Sequence, residues 1–383
     1  MWNKKKQNFL MMTEMFVAFL VMFAVLTLLV FYYDSYQKPR GFIHNNVWVV
    51  TYNEAKKPES EDSLRTYMET LRKSIKALPG ISDVSFTSGN VPYSFNTQST
   101  GLKYGKVKVH SSIFNTEDNY DDVFATKMIE GRWFEKSDMF GESSNVIINE
   151  KLKEDLFGST PALGKEISNE SEKLKVIGIV ANMKTDGDYT PAEPGLFRRV
   201  GKRELGWNNT ILVKIQDNAP ASTEAMLFKS LNGLIKDANI EIEHFSEKLE
   251  SKNKLAMTPL IIMVVVAAFL IINVALGLFG VLWYNINKRK SEIGLRRAIG
   301  APASSISFQL LGEALVLSTF ALVVGTFFAI QFPLLDVFDL PGNVYIQALI
   351  GSITFIYVLV LICAFYPGKQ AAAIYPAVAL HED

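Results

Sequence analysis

Hydrophobic residues are concentrated in two parts of this chain, and the segment between them has the composition of an ordinary water-soluble domain. Residues 9–33 and 259–366 are almost wholly apolar, whereas residues 34–258 mix polar and apolar positions. About 20 consecutive apolar residues are enough for a helix to cross the hydrocarbon core of a bilayer. The pattern therefore predicts a membrane protein with one large domain outside the bilayer.

Four segments have the length of a membrane-spanning helix. The first includes 19 consecutive uncharged residues, from Met15 to Tyr33, and is longer than the hydrophobic region of a cleaved signal peptide. We therefore expect a retained anchor at this position. The other three segments carry no basic residue at their centres. The predicted spans, in a one-plus-three arrangement, are residues 9–33, 259–284, 306–332 and 344–366.

Lysine and arginine residues indicate which side of the membrane each connection occupies. Three lysines precede the first span, and five basic residues lie between the second and third spans. The connection between the third and fourth spans contains Asp336 and Asp339 but no basic residue. Because basic residues accumulate in cytoplasmic loops, both chain termini are predicted to be cytoplasmic. The cytoplasmic segments are then residues 1–8, 285–305 and 367–383, and the outer segments are residues 34–258 and 333–343.

The outer segment is predicted to contain both strands and helices. β-Branched and aromatic runs indicate strands, and apolar residues at helical spacing indicate helices between them. Strand-helix-strand units at both ends of the segment form one split α/β lobe, into which residues 96–207 are inserted as a second lobe. The fold class is therefore an α-helical membrane protein with four spanning helices and an α+β extracytoplasmic domain of two lobes. The predicted elements of the split lobe are residues 47–52, 60–78, 81–87, 210–215, 223–235 and 240–244.

Composition and motifs argue against several classes of function. The chain balances 39 basic against 39 acidic residues, which leaves no basic excess for nucleic-acid binding. Its single cysteine, Cys363, excludes a disulfide framework or a cysteine-based zinc site within one chain. No hydrolase or metalloenzyme motif occurs, so we expect neither a catalytic site nor a metal. Four scattered histidines are expected in surface or packing roles: His44, His110, His244 and His381.

The predicted cytoplasmic loop has a distinctive sequence, NKRKSEIGLRRAIGAPASSI, beginning at Asn287. Charged residues alternate with apolar ones over this stretch, and Gly300 followed by Pro302 should end a short helix. The simplest interpretation is a basic loop with a helix lying at the membrane interface. That interpretation accounts for the basic residues but not for the detailed sequence.

The run EIGLRRAIGA, with Gln309 and Glu313 downstream, resembles the loop of the FtsX-like permease family of ABC transporters. In the outer segment, GRWFEKSD, VIINEKLKEDLFG, ALGKEI and KVIGIVANMK are similar to the periplasmic core domain of macrolide-exporter-type permeases. The terminal YPGKQAAAIYPAVALHED resembles the tail of the same family. These motifs follow the family's order along essentially the whole chain.

The resemblance implies that this loop is a coupling helix that docks on an ATPase. Charged side chains would make polar contacts with the partner, Ile293, Leu295 and Ile299 would enter a groove, and Gly294 and Gly300 would permit close backbone approach. Only eight residues precede the first span, and no Walker A sequence lies on the cytoplasmic side, so we expect ATP and Mg²⁺ to act in a separate subunit. The implied coupling residues are Arg289, Lys290, Glu292, Ile293, Gly294, Leu295, Arg296, Arg297, Ala298, Gly300 and Ala301.

The resemblance also implies the partners and the mechanism. Two permease chains, identical or related, would lie in the cytoplasmic (inner) membrane in contact with lipid, and a periplasmic adaptor is a further expected partner. Closure of the ATPase would be relayed to the outer domain, a mode called mechanotransmission. The expected function is export or extraction of a substrate such as a peptide, an antibiotic or a lipoprotein. This chain would hold no cofactor and would not itself be an enzyme.

Two acidic residues, Glu14 and Glu313, fall inside predicted spans near their cytoplasmic ends. An ionisable residue within a membrane is by default a functional candidate. The alternative, which we favour, is that both lie at headgroup depth and pair with basic residues such as Arg296 or Arg297.

Two other functions remain open. An FtsX-like signalling or scaffold subunit would regulate a cell-wall hydrolase through the same membrane segments, although that branch usually has a smaller outer domain. A membrane-anchored enzyme would need a catalytic constellation in the outer domain, and the sequence shows none.

Overall fold

The computed structural model describes residues 5–54, 58, 60–95, 97–140, 144–169, 171–200, 209–338 and 340–372. The chain forms two compact units. The first, the outer domain, is Ser35–Ala256, and the second, the membrane unit, combines Met1–Asp34 with Met257–Asp383. The helices are α1 (Lys5–Gln37), α2 (Glu61–Lys76), α3 (Tyr120–Phe124), α4 (Glu150–Phe157), α5 (Thr223–Leu234), α6 (Phe245–Lys288), α7 (Lys290–Ala298), α8 (Ala303–Leu334) and α9 (Gly342–Ala372).

Four of these helices, α1, α6, α8 and α9, are long and apolar enough to cross a membrane. Each helix contains the span predicted from the sequence and extends beyond it at both ends. The extension follows from backbone chemistry, because hydrocarbon offers no partners to unpaired N–H and C=O groups and favours helices that continue past it. The observed helices and the mixed outer domain confirm the predicted fold class. Asp339 lies outside the described residues.

Helix α6 differs most from its prediction. The predicted span 259–284 starts at Pro259, but the structure places this proline well inside α6, which begins at Phe245. An interior proline removes one helical hydrogen bond and costs about 3 kcal/mol or more. In the outer domain, Phe245, Leu249 and Lys252 lie on one face of the helix and are buried. Burial of this face extends the helix upstream of Pro259 despite the lost bond.

The outer domain is built around one continuous mixed sheet. Along the sheet, the strand order is β11-β1-β10-β2-β4-β3-β7-β8-β6-β9, and β5 pairs with β8. Most neighbouring strands are antiparallel, and the parallel pairs are β4 with β9 and β6 with β8. The strands are β1 (Val47–Glu54), β2 (Ile81–Gly89), β3 (Ser99–Tyr104), β4 (Val107–Thr116), β5 (Met128–Gly131), β6 (Ser144–Asn149), β7 (Glu166–Ser168), β8 (Lys173–Val180), β9 (Gly195–Arg199), β10 (Thr210–Ile215) and β11 (Ala238–His244).

The first lobe consists of two interleaved strand-helix-strand units. Strand β10 lies between β1 and β2, and β1 lies between β10 and β11, each pairing being antiparallel. The order is that of a split βαβ motif, with α2 and α5 as the crossover helices. In α2, Leu64, Met68, Leu71 and Ile75 recur at helical spacing and are buried. Their packing against the strands gives this lobe its core.

The second lobe is a ring of six strands formed by residues between β2 and β10. The pairing of β4 with β9 closes the path β4-β3-β7-β8-β6-β9 on itself. Its core contains Val146, Ile148 and Val176 from the strands and Leu152 from α4. The ring is joined to the first lobe through the pairing of β2 with β4. The elements from β3 to β9 fall within the inserted segment 96–207 proposed from the sequence.

The GRWFEKSD motif forms a turn that is held by one carboxylate. Asp138 accepts hydrogen bonds from both terminal nitrogens of Arg132, each at 2.7 Å, from the Glu135 N–H at 2.8 Å and from Asn145 at 2.7 Å. The hydrogen bond from Arg132 is the main reason that the pKa of Asp138 falls to about 2. The motif therefore fixes the chain between β5 and β6.

The membrane unit is held together by small and aromatic side chains. Gly325 of α8 faces the ring of Phe19 so closely that an added Cβ atom would overlap it. Gly312, on the same helix, has no other atom within 4 Å of the position of an added Cβ. Replacing Gly325 with alanine therefore tests the close packing, whereas the same change at Gly312 tests helix propensity alone.

We predict that Gly325→Ala lowers the thermal stability of the detergent-purified chain and that Gly312→Ala does not. The added methyl group at residue 325 displaces Phe19, and overpacking of this kind costs about 1–3 kcal/mol. Alanine in place of glycine otherwise favours a helix by up to about 1 kcal/mol. Equal melting temperatures for the two variants would contradict the close packing of α1 against α8.

Candidate functional site

The candidate coupling helix is the short helix α7, which joins α6 to α8. It begins after Arg289, whose carbonyl accepts from the Ile293 N–H at 2.9 Å. It ends at Ala298, and Gly300, two residues later, adopts a φ of +98°. The N–H groups of Gly300 and Ala301 bond back to the carbonyls of Arg297 and Arg296, a closure typical of helix C-termini. The helix end therefore agrees with the one predicted from Gly300 and Pro302.

One face of α7 is buried within the membrane unit. Ile293 is 5% exposed and packs in a small cluster with Ile286, Ile306, Leu310 and Ala371. Gly294 beside it is also buried. The structure therefore differs from the expectation that Ile293 enters a partner's groove, because its side chain is already used within the chain. Its position anchors α7 to α6, α8 and α9.

The opposite face of α7 presents apolar side chains to the surroundings. Leu295 is 55% exposed and Ile299 is 78% exposed. Ala298 and Gly300 are exposed next to them, and Lys290 and Ala301 are half-buried. Two large apolar side chains on a short, otherwise charged helix are a feature of surfaces that bind a partner.

A hydrogen-bonded network of charged residues fixes the orientation of α7. Arg289 donates to Glu292 at 3.0 Å and to Glu313 of α8 at 3.1 Å. Arg296 donates to Glu292 at 2.7 Å and to Gln309 of α8 at 2.8 Å. Hydrogen bonds from Arg289 to Glu292 and Glu313 raise the pKa of this arginine. These bonds tie both ends of α7 to the first turns of α8.

For one of the two intramembrane acids, Glu313, the structure shows the expected kind of partner, a basic residue of the loop. Glu313 pairs with Arg289 rather than with Arg296 or Arg297. Arg296 lies near the end of α7 and reaches Gln309, which is one helical turn before Glu313. Arg297 is half-buried and donates to the Ala301 carbonyl at 3.4 Å.

The second acid, Glu14, has a different environment. Its carboxylate lies against Gly277 of α6, where an added Cβ atom would be 2.5 Å from Glu14 Oε2. Among the described residues, Glu14 Oε2 is buried and has no hydrogen-bond partner. Gly277 therefore provides the space that this side chain occupies.

The outer domain contains a second polar cluster that the sequence did not indicate. Asp188 accepts from Arg40 at 2.5 Å and 3.1 Å and from Asn253 at 2.8 Å. Burial alone would raise the pKa of Asp188, but these hydrogen bonds and the charge of Arg40 lower it. Lys184, which is 2% exposed, donates to the carbonyls of Ser35 and Asp188. The cluster joins three chain segments: the end of α1, the loop after β8 and the first part of α6.

The described residues show no group of three or more His, Cys, Asp or Glu side chains arranged to hold a metal ion.

Comparison with known proteins identifies the family. The MacB-like periplasmic core domain matches residues 15–227, which is more than half of the chain. The FtsX-like permease C-terminal domain matches residues 264–376, which include α7. The chain belongs to the MacB- and FtsX-type permease family. This result confirms the resemblance inferred from the EIGLRRAIGA loop and the motifs of the outer domain.

The permease has curated relatives of two lengths. It is 26% identical over 294 residues to the uncharacterized ABC transporter permease YvrN of Bacillus subtilis (strain 168), covering 72% of this chain and 71% of that protein. It is 26% identical over 299 residues to the macrolide export ATP-binding/permease protein MacB of Neisseria meningitidis, covering 74% of this chain but 45% of that protein. The permease thus spans less than half the length of this second relative.

Among solved structures, the periplasmic region of MacB from Actinobacillus actinomycetemcomitans aligns with 57% of this chain and 97% of its own length. The TM-score is 0.41 and the sequence identity is 16%.

The buried and exposed faces of α7 lead to a prediction about stability. Ile293→Ala should lower the free energy of unfolding of the purified permease by about 2–5 kcal/mol, because a buried aliphatic side chain is removed. Leu295→Ala should change it by no more than about 0.5 kcal/mol, since the side chain is exposed. Thermal unfolding in detergent measures both. A larger loss for Leu295→Ala than for Ile293→Ala would mean that the two faces are assigned the wrong way round.

Proposed function

We propose that this chain is the membrane subunit of an ABC transporter and that α7 docks on a separate ATPase subunit. The observation that carries this proposal is the division of α7 into two faces. Ile293 and the Arg289–Glu313 pair hold the helix on the membrane unit, while Leu295 and Ile299 are left exposed. A helix fixed on one side and apolar on the other suits transmission of force from a bound partner.

The charged residues of α7 have a supporting role in this proposal. Glu292, Arg289 and Arg296 bond to one another and to residues of α8, so their first task is to orient the helix. Contacts with an ATPase then depend more on the exposed apolar side chains than on these charges. Buried apolar anchors commonly dominate the energetics of protein interfaces, whereas charged residues at the rim contribute less.

The active complex contains two permease chains, identical or related, and ATP and Mg²⁺ act in the ATPase. Membrane lipid surrounds the spans in the inner membrane, with both termini in the cytoplasm. Closure of the ATPase subunits moves α7, and the motion reaches the outer domain along the chain through α1 and α6. An ATPase can drive such a change only if it binds two permease states with different affinities.

The type of outer domain favours export over regulation of a cell-wall hydrolase. The match to a MacB-like periplasmic core domain covers most of the outer domain, and macrolide export is the activity named for one relative with this arrangement. The proposed substrate is a peptide, an antibiotic or a lipoprotein handled outside the membrane, with a periplasmic adaptor as a further partner. A cell-wall regulator is the alternative, and proteins that copurify with the permease distinguish the two.

We predict that Ile299→Asp and Leu295→Asp each release the ATPase from the permease. Placing a charge in an apolar contact typically costs several kcal/mol, which lowers affinity by about a hundredfold or more. The measurement is recovery of the ATPase with the tagged permease from its native host in mild detergent, together with ATP hydrolysis.

The matched control is Ile299→Leu, which retains an apolar side chain of similar size and should retain the ATPase. If Ile299→Asp recovers as much ATPase as Ile299→Leu, docking through this face is refuted. If no ATPase copurifies with the unmodified permease, the coupling function of α7 itself is refuted.

We further predict that the Asp188 cluster is needed to relay the motion within the outer domain. In the complete complex, ATP binding should change amide hydrogen exchange in residues 182–190, and Asp188→Ala should abolish that change while ATP hydrolysis continues. The reason is that Asp188 joins segments from α1 and α6 through Arg40 and Asn253. Asp155→Ala, which removes a half-buried pair with Lys151 on α4 that lies outside this cluster, is the control. An unchanged response in Asp188→Ala would exclude this cluster from the relay.

A further inference from the structure

The membrane unit contains a cavity that the proposed coupling mechanism does not use. Its volume is about 750 Å³, which lies within the range of roughly 300–1,000 Å³ typical of ligand pockets. Side chains of α1, α6, α8 and α9 and of the connection between α8 and α9 line it. Its walls are mostly apolar, and they include Leu20, Phe23, Ala24, Phe31, Met263 and Phe332.

Only a few polar side chains contribute to the walls of this cavity. The Thr27 hydroxyl donates to the Phe23 carbonyl at 2.7 Å, and the Gln331 amide donates to the Phe327 carbonyl at 3.3 Å. Neither side chain is charged, and among the described residues that line the cavity none is acidic or basic. An ionic ligand group would therefore lose its hydration here without a counter-charge, at a large cost in free energy.

Tyr345 supplies a polar group that has no hydrogen-bond partner among the described residues. Its side chain is 3% exposed and lines the cavity. Its hydroxyl oxygen is itself buried. Leaving a buried donor unsatisfied costs about 1–3 kcal/mol. A ligand with a carbonyl oxygen at this point would remove that cost.

The position of Tyr345 indicates the depth at which such a carbonyl would lie. Helix α9 begins at Gly342, so Tyr345 is in its first turn, about 5 Å along the axis from the end of the helix. Tyrosine is enriched at this level of membrane proteins, where the apolar core meets the polar interface. The glycerol esters of lipids occupy the same interface, and their acyl chains extend from it into the hydrocarbon.

We propose that this cavity binds one ester-linked acyl chain of a bilayer glycerolipid, with the Tyr345 hydroxyl donating to the ester carbonyl. An acyl chain matches the apolar walls formed by Leu20, Phe23 and Ala24. The carbonyl matches the Tyr345 hydroxyl, for which the described part of the chain supplies no acceptor. The surrounding bilayer supplies this ligand at high concentration, so modest affinity is sufficient for occupancy.

The test uses the full-length permease reconstituted in vesicles that contain a phosphatidylcholine with a photoactivatable group on one acyl chain. After illumination and digestion, labelled peptides are identified by mass spectrometry. We expect labelling of residues 20–31 of α1 and of the start of α9. Ala24→Phe should fill the cavity and reduce this labelling at least tenfold. Leu29→Phe, on the same helix but outside the cavity, should leave it unchanged.

A second measurement isolates the hydrogen bond from the shape of the cavity. Tyr345→Phe keeps the ring and removes only the hydroxyl, so the ester lipid should bind about two- to tenfold more weakly, as expected for one hydrogen bond. An ether-linked analogue lacks the carbonyl, so it should bind the unmodified permease more weakly than the ester lipid does, by the same factor. Tyr345→Phe should not weaken the binding of this analogue any further. Equal binding of ester and ether lipids would overturn the role assigned to Tyr345.

The acyl group of a lipidated peptide offers similar chemistry from another source. A photoactivatable N-acylated peptide, added in the same vesicles, distinguishes the two sources. If the peptide labels α1 and the phospholipid does not, the cavity is a substrate site and the glycerolipid assignment is wrong. If the phospholipid labels the Ala24→Phe and Leu29→Phe variants to the same extent, the contact is ordinary annular lipid and the cavity has no specific occupant.

Discussion

The need to satisfy every backbone hydrogen bond inside hydrocarbon determines how this permease is organised. Within a span, an N–H or C=O group has no water to bond with, so the chain must remain helical from one interface to the other. Several polar side chains in the spans obey the same constraint. Thr27, Ser352 and Thr354 each bond to the carbonyl four residues earlier in their own helix. Groups that interact with partners are therefore concentrated at the helix ends.

Helix α7 lies outside the predicted spans, where this constraint no longer applies. At the junction of α6 and α8, charged residues can pair with one another and with the first turns of the neighbouring span. Arg289 and Arg296 bridge Glu292 to Glu313 and Gln309, while Ile293 is enclosed by apolar side chains from three helices. A short helix has little stability of its own. These tertiary contacts keep α7 folded and fix the direction in which Leu295 and Ile299 point.

Sequence reasoning was most successful where the physical signal is local and repeated. Apolar length located the four spans, and helical spacing located α2 through Leu64, Met68, Leu71 and Ile75. It failed where the outcome depends on tertiary contacts. Pro259 indicated the start of a helix, but burial of Phe245 and Leu249 extends α6 upstream of it.

The candidate site shows the same division between local and tertiary information. The sequence indicated a candidate coupling segment from EIGLRRAIGA, and the two-residue spacing puts Ile293 and Leu295 on opposite faces of a helix. It could not show which of the two faces is buried, because both side chains are apolar. The partner of Glu313 also depended on how α7 lies on α8. The Asp188 cluster had no local signal at all, since Arg40, Lys184 and Asn253 come from three distant parts of the chain. Its central feature, a buried carboxylate with several donors, exists only after the outer domain folds.

The charged network of α7 and the Asp188 cluster have the same structural role in different parts of the chain. Each fixes a chain segment next to a long helix by pairing arginine with a carboxylate: Arg289 with Glu313 beside α7, and Arg40 with Asp188 in the outer domain. Arginine suits this task because its planar guanidinium forms two directed bonds and does not lose its charge on burial. Apolar contacts alone are less directional and would allow these segments to slide. The proposed transmission of motion through the chain needs directional restraint at such points, and the arginine pairs supply it.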